Sequence, residues 1–396
     1  MSIQRNCKYT RFAVVEVARA ALILVSLCTT AWAGQFKVLH SFTGGPDGGF
    51  PYGVLLQDSA GKLYGTTYGG GDANFGTVFS VDAAGIQTVL HSFAGPPVGA
   101  YPYAGLVKDK KGNLYGTTYK GGDVACDPPY AGCGTVFKLG VKGKLTVLHS
   151  FSGYRDGAFP RGGLVKRNDG SFVGLTTGGG RTCDSAVYSV DRNASYSVLG
   201  GVCGGAEFVT LVQDADGNLY GTTVYNAGLN CQDVNCGSIF KFDTNGSNTY
   251  LYEFTGGLDG KLPYTGLARD QQGSLYGTTT AGGAYGYGTI FKLDPTGTLT
   301  TLYSFSGGKD GATPLGLLLL GKHGNLYGTA AYGGSAGKGT VFRLNIDGKF
   351  VVLHTFRGQD GQNPFAGVIR DANGNLFGTT VLGGVYGAGA VFAISP

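Results

Sequence analysis

The sequence repeats one seven-residue stretch almost from end to end, and this repetition constrains the fold more than any other feature. The stretch first appears as Gly-Lys-Leu-Tyr-Gly-Thr-Thr at residues 61–67. Further copies share its Leu-Tyr-Gly or Leu-Phe-Gly core, apart from one worn copy, Ser-Phe-Val-Gly, and they lie at residues 112–118, 171–174, 218–223, 274–277, 325–328 and 375–378. A spacing of about 50 residues indicates a repeat architecture, so the chain length says little about domain count.

Each repeat contains four short segments that read as strands. In the first full repeat they are rich in apolar, β-branched and aromatic residues, and they lie at residues 52–58, 62–67, 76–81 and 87–93. Asp-x-x-Gly turns separate them, and helical periodicity is absent after residue 33. Four antiparallel strands repeated seven times predict an all-β chain, a seven-bladed β-propeller of four-stranded antiparallel blades. A β-solenoid is the alternative, although its coils are usually shorter and its strands parallel.

The two ends of the repeat region complement each other. Residues 36–42 match the fourth strand of a repeat, whereas residues 389–394 match the third. The final blade therefore lacks its outer strand and the N-terminal segment carries a spare one. Because an unpaired sheet edge promotes aggregation, we expect the N-terminal strand to complete the last blade and close the ring.

Residues 1–33 read as a secretory signal peptide. They begin with basic residues, continue with an apolar stretch at residues 20–30 and end in Ala-Trp-Ala. The apolar stretch is short for a membrane span. We therefore predict an exported chain, secreted or periplasmic, in which residues 34–396 form a single propeller domain without a membrane span. We also expect it to be a monomer.

Charge and cysteine content narrow the class of protein further. The formal net charge is +5, and removal of residues 1–33 brings the chain closer to neutral, so no electrostatic footprint for nucleic acid is present. Six cysteines remain, in close pairs that we predict to be disulfides in an oxidising compartment: Cys126 with Cys133, Cys183 with Cys203, and Cys231 with Cys236. Metal binding is the alternative, but no CxxC and no suitably spaced histidine accompanies them.

Two repeated positions resemble metal ligands. One holds His40, His91, His149 and His354, but other repeats hold Tyr or Gly there, so we expect a structural role. The other holds the Asp-Gly pairs at Asp47, Asp156, Asp259, Asp310 and Asp360. Ca²⁺ is an alternative at these pairs, but one carboxylate per copy is typical of a turn. We predict no metal site and no cofactor.

The position after the repeat proline is the main candidate for ligand binding. The first strand of a propeller blade lines the channel, so this position should form a ring at one channel mouth. It is occupied in turn by Tyr52, Tyr103, Arg161, Phe208, Tyr264, Leu315 and Phe365. Loops between second and third strands should add Tyr68, Tyr119, Tyr130, Tyr225, Tyr285, Tyr287, Tyr332 and Tyr386. Such aromatics suit sugar rings or a peptide, but they could equally wedge between blades.

Two residues break the repeat at this ring. Arg161 replaces an aromatic residue, and Glu207 takes the proline slot of the fourth blade. Broken symmetry marks the most specific part of the ring. A second candidate ring of basic and amide side chains lies at the other end of the same strand. It could bind an anion, or its residues could simply be solvated strand ends. Its members are Gln57, Lys108, Lys166, Gln213, Arg269 and Arg370.

The joint recurrence of Leu-Tyr-Gly-Thr-Thr, Gly-Thr-Val-Phe, Leu-His-Ser-Phe and Asp-Gly-x-x-Pro resembles the GloVer tandem repeat of exported bacterial "choice-of-anchor" proteins. The resemblance covers residues 36–396. It implies a surface or secreted protein and supplies no catalytic residues. The sequence stops at Ser395-Pro396 without a sorting segment, which favours secretion or periplasmic residence over wall attachment.

Three functions stay open from the sequence. The favoured one is a non-catalytic binding propeller that recognises a glycan or a cell-surface partner at an aromatic channel mouth. The second is a carbohydrate-active hydrolase or lyase, which would need two carboxylates or a Tyr/His–Arg set at one mouth. The third is a structural or assembly protein of the cell envelope.

Overall fold

The chain forms 28 strands among the residues described by the computed structural model, which are 34–396 without 124, 127–131, 154, 181–182 and 226–235. The strands are, in order, β1 (Phe36–Ser41), β2 (Leu56–Gln57), β3 (Leu63–Thr67), β4 (Thr77–Val81), β5 (Gln87–Ser92), β6 (Val107–Lys108), β7 (Leu114–Thr118), β8 (Thr135–Leu139), β9 (Leu145–Ser150), β10 (Val165–Lys166), β11 (Phe172–Gly179), β12 (Ser185–Val190), β13 (Tyr196–Val202), β14 (Val212–Gln213), β15 (Leu219–Thr223), β16 (Ser238–Phe242), β17 (Asn248–Glu253), β18 (Ala268–Arg269), β19 (Leu275–Thr279), β20 (Thr289–Leu293), β21 (Leu299–Ser304), β22 (Leu319–Leu320), β23 (Leu326–Ala330), β24 (Thr340–Leu344), β25 (Phe350–Thr355), β26 (Ile369–Arg370), β27 (Leu376–Thr380) and β28 (Ala390–Ile394).

These strands build seven antiparallel four-stranded sheets, one for each repeat. Six sheets consist of four consecutive strands, from β2-β3-β4-β5 to β22-β23-β24-β25. The seventh has the order β1-β28-β27-β26, so the N-terminal strand pairs with the last strand of the chain, with Phe36 opposite Ile394. The predicted seven-bladed propeller and its closure by the N-terminal strand are confirmed.

The glycine of the Leu-Tyr-Gly-Thr-Thr motif makes room for an aromatic ring of the neighbouring strand. A Cβ atom on Gly65 would lie 2.6 Å from the tip of the Phe79 ring, which belongs to the Gly-Thr-Val-Phe motif. The same close approach recurs in the other blades, for example between Gly277 and Phe291 at 2.5 Å. The two motifs recur together because one supplies the ring and the other supplies its space.

The two threonines of the motif have different partners. The hydroxyl of Thr66 donates to the carbonyl oxygen of Ala104 in the next blade at 2.8 Å. The hydroxyl of Thr67 bonds that of Thr77 on the third strand of its own blade, also at 2.8 Å. Both threonines are buried. The first therefore ties neighbouring blades together, and the second ties strands within a blade.

The hydrophobic core lies between adjacent blades. Phe42, from the strand that completes the last blade, is fully buried and packs in one cluster with Leu55, Phe79 and Val391. Equivalent clusters at five of the six other junctions use the phenylalanine that follows the fourth strand of a blade: Phe93, Phe151, Phe254, Phe305 and Phe356. Between the third and fourth blades Val202 takes this place. Removing water from these rings supplies the main driving force that holds the blades together.

The first strand of each blade is shorter than the sequence suggests. In the first blade only Leu56 and Gln57 pair with the second strand, although residues 52–58 read as a strand. The residues before this pair face the neighbouring first strands instead, because a Cβ atom on Gly53 would lie 2.6 Å from the backbone of Ala104. Glycines on the first strands thus let these backbones approach closely around the channel.

Two of the three predicted disulfides are present. Cys126 bonds Cys133 and Cys183 bonds Cys203, with Cα atoms 5.6 and 4.5 Å apart. The third predicted pair involves Cys231, which lies outside the described residues, as do the predicted signal peptide (residues 1–33) and Tyr130.

Helix is almost absent from the described part of the chain, where a single 3₁₀ turn at Lys322–Gly324 is found. No helix there has the length and apolar character needed to cross a membrane.

Candidate functional site

The first strands bring most of the predicted ring residues to one end of the channel, called here the channel mouth. Six of the seven ring residues line a single cavity of about 250 Å³: Tyr52, Tyr103, Arg161, Phe208, Leu315 and Phe365. Backbone and small side chains, including Gly53 and Ala104, form much of the remaining wall. The seventh ring residue, Tyr264, does not line this cavity. Burial raises the pKa of the Tyr264 hydroxyl. The nearby Tyr225 and Glu207 raise this pKa further.

The aromatic rings of the mouth touch one another. The centre of the Tyr52 ring lies 4.8 Å from that of Tyr103 and 5.6 Å from that of Phe365. The Tyr103 ring in turn lies 5.4 Å from Phe208, two blades away. These tilted and edge-to-face contacts form a continuous aromatic surface from the seventh blade, through the first two, to the fourth.

Three of the loop tyrosines extend this surface. Tyr68 lies 4.8 Å from Tyr103, and Tyr119 lies 5.6 Å from Tyr103, measured between ring centres. Tyr332 reaches Phe365 at 6.3 Å. The remaining described loop tyrosines are well exposed, and none lines the cavity: Tyr225, Tyr285, Tyr287 and Tyr386.

Two further aromatic side chains at the mouth were not predicted from the sequence. Tyr101 stacks on Tyr68 with ring centres 4.8 Å apart, and Phe159 contacts Tyr119 at 5.4 Å. Both residues precede a repeat proline and have a positive φ of 59°, which is rare for bulky side chains. The sequence signal was an aromatic residue before the repeat proline, seen also at Phe50, which has a φ of 60°.

Arg161 and Glu207 form an ion pair at the edge of the mouth, between Nη1 and Oε2. The other terminal nitrogen of Arg161 donates to the Tyr119 hydroxyl at 3.1 Å. The guanidinium carbon lies 4.6 Å from the centre of the Tyr119 ring, 5.4 Å from Phe208 and 5.7 Å from Tyr103. The two residues that break the repeat therefore meet each other, and the rings of the mouth surround their arginine.

Burial and neighbouring groups together set the ionisation of the mouth. Burial raises the pKa of Tyr103 well above its ordinary value, with Tyr52 and Tyr68 adding to the effect and Arg161 opposing it. Burial alone would lower the pKa of Arg161, but Glu207 and Tyr119 outweigh it, so that pKa is raised. At neutral pH the mouth therefore presents neutral phenol hydroxyls and a permanently charged guanidinium.

The cations of the second candidate ring, at the other end of the first strands, lie at separate junctions between blades. Lys108 donates to the Asp58 carboxylate of the preceding blade at 3.0 Å and lies 4.5 Å from the centre of the Tyr64 ring. Two arginines also lie over a tyrosine of the preceding blade, each 5.7 Å from the ring centre: Arg269 over Tyr220 and Arg370 over Tyr327. These cations bridge blades and do not converge on one anion site.

Three of the four repeated histidines hydrogen-bond to a repeated aspartate. Their Nε2 atoms lie 2.9 to 3.2 Å from a carboxylate oxygen: His40 with Asp47, His149 with Asp156, and His354 with Asp360. The buried Nε2 of the fourth, His91, has no hydrogen-bond partner within the described part of the chain, and its repeat lacks the aspartate. Where tyrosine replaces histidine, its hydroxyl donates to the same aspartate at 3.0 to 3.1 Å: Tyr252 to Asp259 and Tyr303 to Asp310. Histidine and tyrosine can exchange because both donate one hydrogen bond. Among the described residues, no three His, Cys, Asp or Glu side chains gather to hold a metal ion.

Comparison with known proteins supports the repeat and the fold. The model of the Gloeobacter/Verrucomicrobia repeat matches residues 26–231 and 207–396. The chain belongs to this repeat family. No curated protein sequence matches the chain.

Several solved structures share the fold of this Gloeobacter/Verrucomicrobia repeat protein. A catalytically inactive variant of virginiamycin B lyase from Staphylococcus aureus, crystallised with quinupristin, superimposes with a TM-score of 0.61 at 14% identity, over 92% of this chain and 99% of that one. A streptogramin B lyase gives 0.61 at 15% identity with the same coverage. The extracellular domain of a hybrid two-component system from B. thetaiotaomicron gives 0.56 at 12% identity, over 90% of this chain and 39% of that one. At such low identity the likeness shows the propeller fold alone.

Proposed function

We propose that this repeat protein is an exported, non-catalytic binding propeller that recognises a sugar ring at its channel mouth. The continuous contact of the Tyr52, Tyr103, Phe208 and Phe365 rings around one cavity carries this proposal. The C–H face of a sugar stacks on aromatic rings, and phenol hydroxyls at the ring edge hydrogen-bond with its hydroxyl groups.

The size of the cavity favours a single sugar ring. Its volume of about 250 Å³ is below the range of about 300–1,000 Å³ that is usual for pockets holding drug-sized ligands. The cavity follows the first strands inward from the mouth, along residues 52–55 and 103–107. We therefore expect the mouth to bind the terminal residue of a glycan, with the rest of the glycan directed towards solvent.

The charge pattern at the mouth disfavours a glycoside hydrolase. Such enzymes use two carboxylic side chains, about 5 to 10 Å apart. Among the described residues that line the cavity there is no Asp or Glu, and the neighbouring Glu207 is engaged by Arg161. Binding without bond cleavage therefore fits the mouth better than hydrolysis does.

Export is supported by the cysteine chemistry. Disulfides such as Cys126–Cys133 and Cys183–Cys203 persist in oxidising compartments and are rare in the cytosol. The basic and apolar pattern of residues 1–33 leads to the same proposal.

A glycan array probed with the propeller, residues 34–396, tests the proposed function. We expect a specific hit that is lost in Tyr103→Ala and weakened in Phe365→Ala. Tyr220→Ala is the matched control, because Tyr220 is a half-buried tyrosine at the opposite end of the blades. Failure of a folded, disulfide-bonded chain to bind any glycan would contradict the proposal. A protein partner on the exposed loop tyrosines would then be the better hypothesis.

A further inference from the structure

The two departures from the repeat at the mouth are complementary in charge. Arg161 occupies a position that the other blades fill with Tyr, Phe or Leu, and Glu207 occupies one that they fill with proline. The two residues are 46 positions apart in the chain, in different repeats, yet their side chains form an ion pair. The ion pair therefore joins two neighbouring repeats at positions where the other repeats carry uncharged residues.

Arg161 without Glu207 would create an anion site. Its guanidinium is surrounded by aromatic rings, which exclude water and strengthen charge–charge interactions. A guanidinium in such a setting binds carboxylates with two parallel hydrogen bonds. Glu207 already supplies that carboxylate, and the side chains of Arg161 and Glu207 are only 24% and 21% exposed.

The ion pair leaves the cavity with little net charge. Among the described residues that line the cavity, Arg161 is the one with a charge, and Glu207 compensates it. Lys120 contacts the rings of Phe159 and Tyr119, but it is not part of the cavity wall. The groups that remain for a ligand are aromatic faces, phenol hydroxyls and backbone atoms, and these suit an uncharged polyhydroxylated ring.

We infer that the mouth selects uncharged sugars over acidic sugars, and that Glu207 determines this selectivity by neutralising Arg161. The inference rests on the proposed function, because it names the class of glycan that the mouth binds. Glu207 acts through Arg161: it occupies the guanidinium that an acidic sugar would otherwise engage. The mouth therefore prefers uncharged sugars for two reasons. An acidic sugar finds no free guanidinium to bind, and the preferred sugar makes its own contacts with the mouth.

Calorimetry with two matched oligosaccharides tests the inference, one ending in a hexose and the other in the corresponding hexuronate. For the wild-type propeller we expect the hexose form to bind about tenfold or more tightly than the hexuronate form. In Glu207→Gln the ratio of hexuronate to hexose affinity should rise about tenfold or more, and the rise should shrink with added salt. Asp58→Asn is the matched control, since it removes the carboxylate of another ion pair, Lys108–Asp58, at the far end of the blades.

The outcomes separate the inference from the proposed function. Wild-type preference for the hexuronate, or an unchanged ratio in Glu207→Gln, would overturn the inference while sugar binding stands. Binding of neither sugar by a folded chain would instead overturn the proposed function. If Glu207→Gln does not fold, the wild-type chain still gives a test. Its affinity for the hexuronate form should change less than about threefold between about 50 and 500 mM salt, because Glu207 already occupies Arg161. A larger fall would overturn the inference by showing that Arg161 is free to bind the carboxylate of the sugar.

Discussion

The hydroxyl of Thr379, in the last blade, donates a hydrogen bond of 3.2 Å to the carbonyl oxygen of Pro51, at the entrance of the first. The equivalent bond joins the fifth and sixth blades, where the hydroxyl of Thr278 donates to the carbonyl oxygen of Pro314 at 3.1 Å. The junction between the ends of the chain thus uses the same bond as a junction inside the chain. The ring is closed at its mouth by this bond and at its outer edge by the N-terminal strand.

Closure of the ring by the N-terminal strand predicts that Phe42→Ala greatly lowers the free energy of unfolding. Phe42 is fully buried, and its ring lies 5.0 Å from that of Phe79, between the last blade and the first. Denaturant unfolding should show a loss of about 3–5 kcal/mol. Ile86→Ala, at a residue that is 64% exposed, should cost less than about 0.5 kcal/mol. A Phe42→Ala cost as small as that of Ile86→Ala would mean that the N-terminal strand is dispensable.

The close contact between Gly65 and the Phe79 ring predicts that a larger residue at position 65 destabilises the fold. A smaller residue at position 79 should reduce this cost. Gly65→Ala should cost about 1–3 kcal/mol, because the new Cβ atom would lie 2.6 Å from the ring. Phe79→Leu should be less harmful in the Gly65→Ala background than in the wild type, since it removes the clashing atoms. A double-mutant cycle of unfolding free energies measures this coupling. Additive costs would show that the glycine is present for another reason.

The ion pair between Lys108 and Asp58 predicts a measurable coupling between two blades. Both side chains are a quarter exposed or less, and the ammonium also donates to the Tyr64 hydroxyl at 3.3 Å. A cycle built from Lys108→Met and Asp58→Asn should give a coupling free energy of about 0.5–1 kcal/mol at low salt, falling as salt is added. Zero coupling at low salt would mean that the pair is solvated and does not hold the blades together.

Acid should remove the stabilisation that Asp58 provides. Burial alone would raise the pKa of its carboxyl, but hydrogen bonds from Lys108, Tyr64 and the backbone outweigh burial and lower it. Because the folded pKa lies below the unfolded value, the contribution is present above about pH 4 and is lost as the pH falls through the folded pKa. The difference in unfolding free energy between wild type and Asp58→Asn should therefore vanish in that acid range. A difference that persists unchanged at about pH 2 would refute this assignment.

The fold was predictable because its determinants are local and repeated. The second-strand glycine, the third-strand phenylalanine and the Asp-x-x-Gly turns each specify one contact within a blade, and seven copies reinforce the signal. The closure followed from matching residues 36–42 to a strand that the last repeat lacks. Export, the single domain and the monomeric state remain predictions.

The site was only partly predictable, because its specific contacts join different repeats. Alignment of the repeats placed Arg161 and Glu207 near one mouth, but their pairing depends on how two blades are rotated around the channel. The same alignment placed Tyr264 in the ring, although Tyr264 does not line the cavity. The left-handed backbone before the repeat proline directs Tyr101 and Phe159 towards the mouth, a feature that strand periodicity does not report.

The most direct test of the central claim is calorimetric titration of the best array glycan into the propeller, compared with Tyr103→Ala and Tyr220→Ala. All three proteins should first show cooperative unfolding and intact disulfides. We predict that Tyr103→Ala weakens binding by about tenfold or more, because Tyr103 contacts four other aromatic rings of the mouth, and that Tyr220→Ala binds like the wild type. Equal affinities for all three proteins would show that the glycan binds elsewhere, and the aromatic mouth would then be a feature of blade packing.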